Sequence, residues 1–510
     1  MIFHLFAVAL LAVPSLSEEA NNFSDEMLQV MNQPKYEHAF WGVYVKDLET
    51  GKVLYELNAD KLFSPASTTK LFSVAALLQT FGNEYRFKTP IYATNPIKKG
   101  VLEGNLVLVA QGDLTMGSRQ PDPNTISFTK LDHIIANEIP GVILTNEDPL
   151  QGINELARQV YQSGLRVLKG NVIIDDSLFE TTVKRGMVLS PIMINENLID
   201  IVIDAGSTGR EARLTSRPQV PGYQVENRVK TVGNGGLLQI EVSSTDGHHI
   251  VVEGTIPANQ KGIVRTFAIQ DPPAFAQAAL IQALKNQGIK IELDDQQPTS
   301  FIPSKKWQQV ALWTSPPLSE YGKLILKVSH NLGADLVPLL LASKQEQKTF
   351  NEGMRLLGDF TVNKVGVSPS AFVFIDAAGG NENRLTPQAE IQLLQYMSKL
   401  PSKQFQHFLN ALPILGVDGS LEDFGKNSNG AGKVFAKTGT GAAFNLATGK
   451  FFLITQAYAG YIKGKNGHLF AYEVVVNNAQ MPTINDIFAI FEDEAQLSSM
   501  IFDNTGAVYQ

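Results

Sequence analysis

At 510 residues the chain exceeds one ordinary domain, and its 44% apolar and 18% charged content describes packed cores rather than a disordered segment. Forty-two basic against 50 acidic residues give a net charge of −8, which excludes the basic excess that a nucleic-acid binder needs. Cysteine is absent, so a disulfide framework, thiol catalysis and cysteine metal ligation are excluded as well.

Residues 1–17 carry no Lys, Arg, Asp or Glu. The apolar run over 2–13, followed by Pro14-Ser15-Leu16-Ser17, predicts a signal peptide ending in small residues, and hence an exported, periplasmic or extracytoplasmic protein. The run is too short to span a bilayer, and no later segment reads as a span. Strands are predicted over 40–45 and 52–57, joined by the turn cluster Asp47-Leu48-Glu49-Thr50-Gly51. A helix follows. Leu71, Val74, Ala75 and Leu78 recur at the spacing of one helical face, with Ser67 at the entrance, Lys70 one turn on, and Gly82-Asn83 as the stop. Read locally, Ser67 is an N-cap and Lys70 a surface residue.

From 87 to 299 the texture changes to short strands, expected at 105–110, 171–174, 237–242 and 250–254, with a long polar loop over 112–124. Helices are predicted over 150–163, 274–287 and, behind a cap at Ser127, 131–139. This stretch reads as one or two accessory domains inserted into a catalytic domain formed by 18–86 and 300–510. The remainder predicts helices over 318–328, 332–342, 350–357 and 387–400, strands over 433–438, 451–459 and 469–476, and a final helix over 484–500. The fold class expected is α+β, an antiparallel sheet built from both ends of the chain and packed on helices.

Several chemistries lack their motifs. There is no Gly-x-Ser-x-Gly elbow, phosphate-binding Gly-rich loop or His-Glu-x-x-His pair. The eight histidines are scattered, with one close pair at His248-His249, so they are read as surface residues and neither a metal nor another cofactor is expected. Three short motifs remain: Ser67-x-x-Lys70 on a helix, Ser329-His330-Asn331 between helices, and Lys437-Thr438-Gly439-Thr440 at the end of a strand. Ser-x-x-Lys recurs at Ser127–Lys130 and is weak alone, whereas Ser-x-Asn and Lys-Thr-Gly each occur once.

In this order the motifs resemble those of the penicillin-recognising serine enzymes. The gap between Ser67 and Ser329 is more than twice that between Ser329 and Lys437. Such a long first gap is similar to the three-domain D-alanyl-D-alanine carboxypeptidase/endopeptidase family, the class C low-molecular-mass penicillin-binding proteins. Asp175-Asp176-Ser177-Leu178-Phe179, Arg384-Leu385-Thr386-Pro387 and the stretch over 412–420 add to the likeness. The resemblance implies a β-lactamase/transpeptidase-like catalytic domain with a strand-rich insertion. It implies peptidoglycan stem peptides and β-lactams as partners, carboxypeptidase activity, and endopeptidase activity as a further expectation.

The expected roles combine this resemblance with chemistry. Ser67 is the nucleophile and Lys70 its base, with a pKa lowered by burial and by the second cation Lys437. Ser329 relays the proton to the leaving amine and Asn331 holds the substrate amide. Thr438 and Thr440 take the terminal carboxylate, with Lys437 behind them. Gly439 leaves room for the substrate against the strand. The backbone N–H groups of Ser67 and Thr440 form the oxyanion hole. A loop over 376–382 departs from the family pattern by carrying Glu382 near the position of an arginine, and the stretch over 441–450 reads as either a lid or a long hairpin connection. The alternatives are a β-lactamase-like or esterase activity on the same scaffold and a non-catalytic β-lactam- or wall-binding protein.

Overall fold

The structure, a computed structural model, describes residues 16–292 and 307–506, with side chains from Phe23 onward. The predicted signal peptide lies almost wholly outside the described residues, as does the predicted boundary at 299/300. A helix, Leu16–Met31, opens the described chain.

Both ends of the chain build one five-stranded antiparallel sheet, in the order Val53–Leu57, Phe40–Asp47, Leu469–Met481, Lys450–Lys463, Val434–Asn445. The register of the first hairpin pairs Val43 with Leu57, and Phe40 pairs with Asn477 across some 430 residues of intervening chain. Alternation then sends side chains to opposite faces. Val43, Val45, Tyr472 and Val474 meet Phe23 and Met27 of the first helix and Leu497 and Ile501 of the last, Asp486–Asn504. On the other face Ala459, Tyr461 and Ala471 join a larger core with Leu71, Val74, Ala75 and Leu78 of the helix Thr69–Phe81. That helix is almost wholly buried, its Lys70 and Ser73 included, which makes it the axis of the domain. Burying each Leu, Val or Phe there contributes about 1.5–3 kcal/mol.

The inserted region has its own core, in which Leu156, Ile201, Phe275 and Leu280 are buried. Its first sheet pairs Lys88–Ala93 with Leu106–Val109 and with Gln308–Thr314, so the insertion's sheet takes in a strand beyond residue 299. Periodicity missed several of its strands, among them Leu198–Asp204 and Gln224–Val232. The helix expected over 131–139 is only the 3-10 turn His133–Ile135, and Asp132, not Ser127, caps it. Ser127 Oγ instead donates to Glu147 Oε1, 2.7 Å away. A competing side-chain partner and a following Pro-Gly turn, Pro140-Gly141, account for the difference. A helix over Ser402–Ala411 was likewise not anticipated.

Candidate active site

The site begins at a strained turn. Ala66 has φ of +43°, outside the range an alanine prefers, and the 3-10 turn Ala66–Thr68 leads into the helix at Thr69. Ser67 lies inside that turn, and the N-cap positions of the turn and of the helix fall to Pro65 and Thr68. The Ser67 side chain meets Lys70 instead. Lys70 Nζ lies 2.6 Å from Ser67 Oγ, 2.8 Å from Asn331 Oδ1 and 2.6 Å from the Ala378 carbonyl. Lys70 is completely buried. The surface-lysine reading is therefore overturned by the folded chain.

Three neighbours define what this amine can do. An ammonium has three N–H groups for the three oxygens. A neutral amine donates to Asn331 Oδ1 and Ala378 O and turns its lone pair toward the Ser67 hydroxyl. Burial, and next the Arg185 guanidinium, lower the Lys70 pKa to about 7, with Asp335 and Asp376 opposing them. The cation expected to do this was Lys437; the leading charge comes from the insertion instead. Arg185 stands at the turn of the hairpin Thr182–Lys184 and Met187–Leu189. Its Nε lies 3.2 Å from Asp335 Oδ2 and its Nη2 2.6 Å from Asp376 Oδ2.

Asp376 organises the loop it opens. Its Oδ1 accepts from the backbone N–H groups of Ala378, Gly379 and Gly380 at 3.1, 2.8 and 2.9 Å. Ser73 Oγ donates to the Ala377 carbonyl at 2.7 Å and fixes the loop to the helix. Gly379, at φ +98°, sits so close to the nucleophile turn that a Cβ would fall 1.9 Å from Ala66 O. Glu382 stays exposed at the loop's end, while Arg384 donates to the carbonyls of Asn381 and Asn383.

The second motif ends the helix Leu318–Lys327 and starts Asn331–Lys344. Ser329 is also left-handed, at φ +59°. Its hydroxyl lies 3.0 Å from Lys437 Nζ, which also donates to the Thr438 carbonyl at 2.5 Å. Burial, and then the charge of Lys70, hold the Lys437 pKa well below its usual value. Lys437 belongs to the edge strand of the sheet, whose outer side bonds to 413–415 at Val434 and Ala436, which leaves only the part beyond them for an added strand. Thr438 Oγ1 is 2.8 Å from Ser420 Oγ, and the more exposed Thr440 donates to Gln456 Oε1 at 2.8 Å.

Gly439 corrects an expectation. A Cβ there would lie 2.2 Å from Pro65 O and 3.3 Å from Ser67 N, so the missing side chain faces the nucleophile turn. Glycine lets the strand and the turn touch; room for a substrate is not what it supplies. The stretch over 441–450 is a long hairpin connection. Both strands continue through it, and a short turn after Asn445 carries the exposed Leu446.

The structure thus brings Ser67, Lys70, Ser329, Asn331 and Lys437 into one cleft, with Thr438, Gly439 and Thr440 along its edge. Sequence reasoning missed Arg185, Asp335 and Asp376. Asp335 left a signal, as the one carboxylate in the apolar run over 332–342. Arg185 left only an Arg-Gly turn. The histidines also need correction. His133 and His330 are buried among Arg119, Asp132 and Glu196, because folding brings together carboxylates and rings that lie far apart in sequence.

An antiparallel sheet packed on a buried helix, with these motifs around one cleft, defines the class: a β-lactamase/transpeptidase-like serine enzyme. The chain belongs to the D-Ala-D-Ala carboxypeptidase 3 (S13) family, whose profile matches residues 24–495. It is 23% identical to a D-alanyl-D-alanine carboxypeptidase of an Actinomadura strain, over 94% of this chain and 86% of the relative. It is 22% identical to the D-alanyl-D-alanine carboxypeptidase DacB of Haemophilus influenzae, over 85% of this chain and 87% of the relative. The crystal structure of penicillin binding protein 4 from Haemophilus influenzae superposes with a TM-score of 0.70 at 20% identity, covering 95% of this chain and 99% of that one. A predatory endopeptidase of Bdellovibrio bacteriovorus, bound to an immunity protein, superposes with a TM-score of 0.51 at 16% identity, covering 91% of this chain and 93% of that one. These structural likenesses show the fold. Among the described residues, no helix is long and apolar enough to cross a membrane.

Proposed function

We propose that the protein is an exported serine D,D-carboxypeptidase that removes the terminal D-Ala from peptidoglycan stem peptides through an acyl-enzyme on Ser67. It also cleaves D,D cross-links as an endopeptidase and is acylated by β-lactams. The observation that carries this reading is the Lys70 amine, 2.6 Å from Ser67 Oγ, with its pKa lowered to about 7. Kinship with a family of D-Ala-D-Ala carboxypeptidases supports the substrate class, and the uncharged apolar run over 2–13 supports export.

Neutral Lys70 takes the Ser67 proton as Oγ bonds to the carbonyl carbon of the penultimate D-Ala. The N–H groups of Ser67 and Thr440 receive the negative charge that develops on the carbonyl oxygen. As the intermediate collapses, the C–N bond breaks and the departing D-Ala amine takes the proton that Lys70 removed from Ser67, relayed through Ser329 Oγ, which Lys437 Nζ holds in place. Water then cleaves the ester and restores Ser67. Asn331 keeps its Oδ1 on Lys70 and offers its Nδ2 to the substrate's amide carbonyl. The terminal carboxylate sits against Thr438 and Thr440, and its arrival favours the charged form of Lys437.

The test is incubation with a fluorescent penicillin, alongside D-Ala release from a linear pentapeptide and cleavage of a cross-linked dimer. The wild type is expected to be labelled covalently and to release D-Ala, and Ser67→Ala to do neither. Labelling that persists in Ser67→Ala overturns the mechanism. Labelling without D-Ala release replaces the enzyme by a β-lactam-binding protein.

A further inference from the structure

The middle residue of the second motif has no part in the scheme above, yet its side chain is completely buried. His330 Nδ1 accepts the Gly333 N–H at 3.0 Å and so caps the helix Asn331–Lys344. Its Nε2 lies 3.0 Å from Glu196 Oε2, on the inserted region. An Nδ1 that accepts leaves the ring neutral, with its proton on Nε2 and donated to Glu196. Burial lowers the pKa of this ring and the carboxylates of Glu196 and Asp132 more than reverse the effect, but the tautomer follows from the hydrogen bonds.

Glu196 is the centre of a closed buried network. Arg119 Nε lies 2.7 Å from Glu196 Oε1, and its two terminal nitrogens are 2.7 and 2.9 Å from the Asp132 carboxylate. His133 joins Glu196 Oε2 at 3.1 Å to Asp200 Oδ1 at 2.7 Å. Asp132, His133 and Glu196 lie close enough to share a cation, but the Arg119 guanidinium already bridges both carboxylates. Glu196 itself rides on three consecutive left-handed residues, Asn195, Glu196 and Asn197, at φ +50°, +56° and +59°. Non-glycine residues in that region cost on the order of 1 kcal/mol each and persist only where their surroundings hold them.

Two strained turns therefore face each other. One carries Glu196, and the other carries Ser329 at φ +59°. The His330–Glu196 hydrogen bond joins them. On either side of His330 are the two groups that meet the lysines, Ser329 Oγ at 3.0 Å from Lys437 and Asn331 Oδ1 at 2.8 Å from Lys70. We infer that His330 is a positioning residue, through which the buried Glu196–Arg119–Asp132 cluster of the inserted region sets the placement of Ser329 and Asn331 in the active site. The insertion then takes part in turnover without touching the substrate. This inference rests on the reading of Ser329 and Asn331 given above.

The two ring nitrogens have separable jobs, and substitutions can divide them. His330→Asn keeps a cap for the helix but cannot reach Glu196, whereas His330→Gln keeps an N–H donor at the reach of Nε2 and gives up the cap. Glu196→Asp retains the buried charge and shortens its reach to the ring. Each variant is compared with wild type and Ser67→Ala in penicillin acylation rate, kcat and KM on a pentapeptide, and melting temperature.

His330→Asn and Glu196→Asp are expected to lose on the order of ten- to a hundredfold in kcat and acylation rate, with KM within about twofold. His330→Gln is expected to stay within about threefold of wild type in kcat. Wild-type kcat in His330→Asn overturns the inference. So does a loss in His330→Gln that follows a lowered melting temperature, because the ring would then serve only as a helix cap. If His330→Asn does not fold, Glu196→Asp carries the same kcat comparison. A wild type that is not acylated at all overturns the proposed function, and with it this inference. A labelled wild type beside an unimpaired His330→Asn removes this inference alone.

Discussion

Lys70 has to shed a proton near neutrality, and the group that helps most after burial comes from outside the catalytic domain. Arg185 lowers the Lys70 pKa directly, and it also engages Asp335 and Asp376, whose charges raise it. Replacing Arg185 by alanine removes the first effect, so the Lys70 pKa rises and less free amine exists at pH 7; the pKa of the Asp335 carboxyl, which Arg185 also holds down, rises too and limits the change. The acid limb of the β-lactam acylation rate is expected to move to higher pH by up to about one unit, a loss of up to about tenfold at pH 7 that vanishes at alkaline pH. Stopped-flow acylation of wild type and Arg185→Ala across pH 5 to 9 measures this directly, and superimposable profiles would exclude the role.

Among elements, the nucleophile turn is clamped between the edge strand of the sheet and the loop that opens at Asp376. Both contacts are backbone to backbone, with Gly439 against Pro65 and Gly379 against Ala66. Backbone atoms have nowhere to retreat, so a methyl group at either place must push an element away. Gly439→Ala is expected to cost about 1–3 kcal/mol of stability. It should also reduce penicillin acylation on the order of a hundredfold, because the shift falls at the reacting hydroxyl. Thermal melts paired with acylation rates check both. An alanine variant with wild-type melting and labelling would show that the strand can move away without loss.

Across the whole molecule, the sheet that joins the two chain ends buries carboxyl groups as well as apolar ones. Burial raises the Glu473 pKa to about 8. Burial, and then Glu473, raise those of Glu390 and Glu494 well above the usual range. These groups hold protons in the folded state at pH values where the unfolded chain has lost them. Their contribution is therefore fully present below the ordinary glutamate pKa and declines as pH rises through the folded-state value. For Glu473 the window runs from about pH 4.5 to about 8, with a slope of up to about 1.4 kcal/mol per pH unit. Denaturant unfolding of wild type should weaken with pH across this window, and Glu473→Gln should flatten the dependence. Parallel curves for the two proteins would contradict it.

The helix behind Ser67, the hairpin over 40–57 and the three late strands were legible because their apolar residues repeat at helix or strand spacing over many positions. The motif order carried the class of chemistry and the family, since Ser-x-Asn and Lys-Thr-Gly are rare enough to mean something together. Inside the insertion the signal is blurred: in Leu198–Asp204, Ile199, Ile201 and Ile203 fill one face, but Leu198 and Val202 share the other with Asp200 and Asp204. Periodicity also had no means of reaching Arg185, Asp376, His330 or Glu196. Each looks locally like a turn or surface residue, and each acquires its partner only from a segment distant in sequence. Local patterns of apolarity are written along the chain and can be read there. The placement of a buried charge depends on which other charges meet it, and only folding decides that.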